Sequence, residues 1–159
     1  MSENLQRFER IVRTAHIFTE GDSGIGSSIH PFEERNVHSD LPGQVRELFD
    51  NGHYAQATFE ALKYLDEEVQ RISSDQDYGK SLMMRVFGGN PPKLSLNPGM
   101  TPSEQSEQEG YKFLFAGAMA GIRNPRGHKT GIVDDPDICL DHLVLTSMLL
   151  RKLEDAGLR

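Results

Sequence analysis

The chain of 159 residues carries 17 Lys and Arg against 24 Asp and Glu, a formal net charge of −7, which predicts one domain with its own core and argues against a protein that coats itself in nucleic acid nonspecifically. A lone Cys139 excludes an internal disulfide framework; in the apolar run Ile138-Cys139-Leu140 it reads as a small buried hydrophobe of a reducing compartment. No run approaches the roughly 18 apolar residues that span a bilayer, and the polar start Met1-Ser2-Glu3-Asn4 is not a signal peptide, so the expectation is a cytoplasmic protein with no membrane partner.

Leu5, Phe8, Ile11, Val12, Ala15 and Phe18 recur at helical spacing over residues 4–20, and Gly21 to Ser28 is a loop by composition. Residues 1–27 are therefore expected to be an N-terminal helical arm and flexible loop, and residues 28–159 a helical domain. His30-Pro31 restarts order, and Leu41-Pro42 opens a helix through Val45, Leu48 and Phe49 that stops at Asn51-Gly52. A long helix over 54–72 follows, with Ala57, Ala61, Leu62, Leu65, Val69 and Ile72 inward and an acidic outer face. Gly79 to Phe87 reads as a short helix, and Gly88 to Pro102, rich in proline and glycine, as a connection. Ser103 is expected to cap a helix from Glu104 through Phe113, Leu114, Phe115, Met119 and Ile122. The last helix starts at Pro136 behind Asp134-Asp135 as caps and ends near Gly157. No alternating strand pattern competes, so the fold class is an all-α helical bundle.

The penultimate helix holds Ala116-Gly117-Ala118-Met119-Ala120-Gly121, where each glycine has a propensity cost. Small residues let another helix approach closely, within the monomer or across a self-association seam. Pro125 then falls where its ring clashes with the carbonyl of residue 121, so the helix is expected to kink or end.

From Arg123 to Thr130 there are three fixed positive charges, Arg123, Arg126 and Lys129, with His128 and no carboxylate. Such an island focuses an anionic ligand, although basic residues also suit any helix end. In an unbroken helix Arg123 and His128 leave the axis about 140° apart; Pro125 and Gly127 are expected to break that geometry and fold the histidine back beside the arginine. The residue types suit metal-free RNA cleavage. Histidine moves protons near neutral pH, arginine offers a fixed cationic fork to phosphate oxygens, and Asn124 orients either. An arginine followed four to six residues later by histidine arises about once by chance in this composition, and about 0.2 times when Asn, Asp or His must follow the arginine. Arg10 and His16 meet only the looser pattern.

The segment Arg123-Asn124-Pro125-Arg126-Gly127-His128, closing an alanine- and glycine-rich helix, resembles the signature of the HEPN superfamily: arginine, a polar residue, then histidine. The wider likeness is to its branch of Ymh-like hypothetical proteins. It is carried by Leu48-Phe49-Asp50-Asn51-Gly52-His53-Tyr54-Ala55-Gln56-Ala57, by Ser106-Glu107-Gln108-Glu109-Gly110-Tyr111, by the 123–128 segment and by the helix from Leu143 to Leu153. It covers residues 28 to 155. The resemblance implies a bundle that dimerises with the two signature segments facing each other. It implies a metal-independent endoribonuclease leaving a cyclic 2′,3′-phosphate and a 5′-hydroxyl, in toxin–antitoxin, abortive-infection or other antiviral systems. Arg123 and His128 take the catalytic roles by position, and Asn124 the supporting one.

Arg126 and Lys129 are candidate phosphate contacts, with ordinary surface charge as the alternative. The implied partners are RNA, a second copy of the chain, and an antitoxin or other regulatory protein. No cofactor is expected. His16, His30, His38, His53 and His142 lack ligand spacing, so no metal is expected either. The rival readings are a noncatalytic module that binds RNA or a nucleotide, and a partner subunit of a nucleotidyltransferase.

Overall fold

The computed structural model describes residues 29–128 and 131–159. The chain divides after His30, and the helical domain is the unit Pro31–Arg159. The expected arm over 1–27 and Lys129 lie outside the described residues.

The unit is all-α: α1 (Pro31–Glu34), α2 (Gly43–Asp50), α3 (Tyr54–Ser73), α4 (Gly79–Val86), α5 (Pro102–Gly117), a π-helical stretch (Ala118–Arg123), α6 (Asn124–His128) and α7 (Pro136–Asp155). Helix α3 lies at the centre, packing on α2, α4, the π-helical stretch, α6 and α7. Its apolar residues recur at 57, 61, 62, 65 and 69, and every one is fully buried. Asp66 is buried on the same stripe, which the expected acidic outer face does not anticipate. Leu143, Leu149, Leu150 and Leu153 of α7 close the core from one side, and Phe87 stacks on Phe115 at 4.4 Å on the other. No helix among the described residues is long and apolar enough to cross a membrane.

Two caps differ from expectation. Thr101, not Ser103, caps α5: its hydroxyl accepts the Glu104 N–H while the Glu104 carboxylate accepts the Thr101 N–H, with Pro102 in the first turn. Asp135 caps α7 by accepting the Ile138 N–H at 2.8 Å, leaving Asp134 for a different task. The connection after α4 is ordered rather than loose. Gln108 donates to the carbonyls of Phe87 and Leu94 and accepts the Leu96 N–H, while Leu94 and Leu96 insert into the core.

The helix does not end at Pro125. It widens first: over Ala118–Arg123 the bonding is π-helical, and the Asn124 N–H reaches back five residues to the Met119 carbonyl. A wide turn at this point relieves the register in which a proline ring meets the carbonyl four residues back and its missing N–H orphans that carbonyl. The chain then resumes as α6 through His128. The expected disruption at Pro125 takes the form of a bulge.

Candidate functional site

Helix α3 presents Phe59 and Asp66 to the Arg123–His128 segment. They sit seven residues apart, hence on one face. The Arg123 guanidinium lies over the Phe59 ring, 5.5 Å from its centroid, with Nη2 3.7 Å from Asp66 Oδ2. Its side chain is 19% exposed, and Nε is buried without a hydrogen-bond partner. Asp66 is 3% exposed, and both its carboxylate oxygens accept the Gly79 N–H, at 2.8 and 3.0 Å. Burial pushes this carboxyl above its ordinary range, opposed by the Gly79 bond and the Arg123 charge.

His128 is exposed at the end of α6, with no side-chain hydrogen bond or ion pair to a described residue. Since Asn124–His128 is helical, the side chains of Arg123 and His128 diverge by about 140°. One turns into the bundle and the other to solvent. The expected fold-back does not occur within one chain. Gly127 does not supply an unusual backbone conformation either; it supplies space. A Cβ there would lie 2.9 Å from Phe59 Cε2. Asn124 is half-buried beside Arg123.

Arg126 is not the open phosphate contact the charge pattern suggests. Its Nε and Nη2 donate to the two oxygens of Asp134 at 2.7 and 2.8 Å, and Nη1 donates to the Ile122 carbonyl at 2.9 Å. Only 10% of its side chain and 6% of that of Asp134 is exposed. The positive island therefore has counter-charges from outside its own stretch, Asp66 for Arg123 and Asp134 for Arg126. A cleft of about 350 Å³ opens beside this pair, lined by His53, Tyr54, Gln56, Ile132 and Val133.

Burial lowers the pKa of His142, the Arg126 charge lowers it further, and Asp134 and Asp141 pull it up; its Nδ1 is buried and unpartnered. The folded state thus keeps this imidazole neutral where the unfolded chain protonates it. Above about 6.5 both states are neutral; as pH falls through that value only the unfolded chain gains the proton, so stability declines toward the lower folded value. His142→Gln is expected to flatten the urea midpoint between pH 7 and 5 relative to wild type.

Among the described residues, His38, Asp40 and Glu154 bring ligand atoms within 4.8 Å of one another. A cation already sits among them. Arg159 donates to Asp40 at 3.0 Å and to Glu154 at 2.9 Å. His38 Nδ1 accepts the Asp40 N–H, leaving Nε2 to donate to Glu154 at 3.1 Å, so both imidazole nitrogens are used.

The outer face of α5 is open. Phe113 and Leu114 are 55% and 45% exposed. A Cβ at Gly110, Gly117 or Gly121 would meet nothing within 4 Å, so packing inside the unit gives no reason for these helix-weakening glycines.

No curated protein and no solved structure matches this chain. The model of the Hypoth_ymh family matches residues 35–153, a span holding the central helix, the π-helical stretch and the Arg123–His128 segment, and the chain belongs to this family of proteins of unknown function.

Proposed function

We propose that the chain is a metal-independent endoribonuclease of HEPN type, acting as a homodimer and serving as a toxin or antiviral effector restrained by an antitoxin or other regulatory protein. The observation that carries this reading is the state of the two signature side chains. Arg123 is about four-fifths enclosed yet makes no side-chain hydrogen bond to a described residue, and His128 stands free at the surface. Neither side chain spends its N–H groups on a described residue, and one chain does not unite them. The open face of α5, ending beside this segment, supplies a surface on which a second copy can bring two such segments together; its glycines permit close approach of the backbones.

In that arrangement a neutral His128 removes the proton of a ribose 2′-hydroxyl. The oxygen attacks phosphorus, the bond to the 5′-oxygen breaks, and a protonated His128 from the other copy gives its proton to that leaving oxygen. Arg123 stabilises the phosphorane charge, with Asn124 beside it.

The test is RNA cleavage in EDTA, with end-group analysis and light-scattering mass. Arg123→Ala and His128→Ala are expected to lose activity by about 100-fold or more, with cyclic 2′,3′-phosphate and 5′-hydroxyl ends from wild type. Phe113→Asp is expected to yield an inactive monomer. A His128→Ala protein as fast as wild type sinks the assignment. The counter-charges on Arg123 and Arg126 favour a second reading, a noncatalytic module for RNA, a nucleotide or a nucleotidyltransferase partner; RNA retention without cutting supports that one.

A further inference from the structure

Resting on the reading of Arg123 as a phosphate-stabilising residue, we infer that Asp66 is its positioning residue, holding the guanidinium by charge alone and leaving its N–H groups free for an oxyanion.

Asp66 makes its short hydrogen bonds to a backbone N–H and not to the arginine it faces. A buried carboxylate opposite an arginine ordinarily accepts two parallel N–H bonds at 2.7–2.9 Å, as Asp134 does for Arg126. Asp66 does otherwise. Both its oxygens accept the Gly79 N–H, and Arg123 stands off at 3.7 Å. At that distance the attraction persists but no donor is consumed. The two arginines of one short segment therefore have opposite arrangements: Arg126 is bonded into the fold, whereas Arg123 is oriented and left unbonded.

The surroundings keep it so. Gly79 has φ +63°, a left-handed conformation that turns its N–H onto Asp66 and is strained for other residues. The Phe59 ring covers the guanidinium face, so the guanidinium is confined by a ring and a carboxylate while its edge stays unbonded. A buried donor such as Nε without a partner is uncommon in a finished fold and asks for an acceptor. The acceptor class that suits a planar cationic fork is a phosphate or another oxyanion.

Asp66→Asn separates the two tasks of this residue, because the amide oxygen still accepts the Gly79 N–H while the charge is gone. With RNA as substrate, kcat is expected to fall about tenfold and KM to fall as well, since a negative charge has left the neighbourhood of the phosphate. A loss of folded protein lowers apparent kcat without lowering KM. The Arg123 Nε–H signal in nitrogen-detected NMR is expected to shift and sharpen as the side chain gains freedom. Unchanged kcat, KM and Arg123 signal overturn the proposal. If wild type cuts no RNA, the ribonuclease reading fails by itself, and the NMR comparison still decides whether Asp66 positions Arg123. Phe59→Leu tests the same confinement should Asp66→Asn fail to fold; an Arg123 signal as restrained as in wild type there also counts against it.

Discussion

Asp134→Ala is expected to lower the free energy of unfolding by about 3–5 kcal/mol. The reason is the guanidinium it abandons. Arg126 is nine-tenths enclosed and has a bidentate partner in Asp134. Removing the carboxylate leaves a desolvated charge with only the Ile122 carbonyl as acceptor. The same residue anchors the stretch leading from the signature segment to α7, so the loss reaches both ends of that connection. Urea unfolding reads the effect directly. Exchanging both partners at once, as Arg126→Met with Asp134→Leu, is expected to restore most of the stability, since apolar replacements of similar volume remove the unpaired charge. A double variant as unstable as Asp134→Ala alone contradicts this account.

Gly127→Val is the second large effect, expected at about 2 kcal/mol or more. Even a single Cβ lands 2.9 Å from Phe59 Cε2, and branching at that carbon adds two methyl groups to the conflict. Relief requires moving the ring, which is the surface on which Arg123 rests. A packing change at Gly127 thus reaches the guanidinium through the ring that both residues touch. In a Phe59→Ala background the valine has room, and its cost is expected to fall below about 0.5 kcal/mol, a coupling that a double-mutant cycle measures. If the valine is as harmful without the ring as with it, the contact is not the cause.

Much of the fold is legible in the sequence because its helices announce themselves by apolar period and by punctuation. The inward residues of α3 follow from spacing alone, and Pro136 opens α7 as expected. The cap of α5 is harder: Thr101 and Ser103 are both suitable hydroxyls, and what decides is Glu104 three residues after the threonine, which completes a reciprocal pair. At the candidate site the same reasoning reaches the segment but not its surroundings. Asp66 lies four residues after Leu62 and three before Val69, on the apolar stripe itself, and an acid in that register is the available signal for a buried charge. The Arg126–Asp134 pair spans a turn whose path no spacing rule supplies. At Pro125, α-helical rules alone offer a kink or an end, and a widened turn falls outside that choice. Gly127 suggests backbone freedom by its type, whereas its role comes from a ring on another helix.

The widened turn also sets a phase. In an uninterrupted α-helix His128, about 15 residues beyond Phe113, would lie only about 60° around the axis from it. One extra residue absorbed over Ala118–Arg123 turns everything downstream back by about 100°. The histidine is thereby carried from about 60° on one side of Phe113 to about 40° on the other. The bulge works like a fixed coupling in a shaft, deciding the angle at which the histidine is delivered while leaving the core-facing side of α5 untouched. Length within those six residues, more than their identity, is then what the angle depends on.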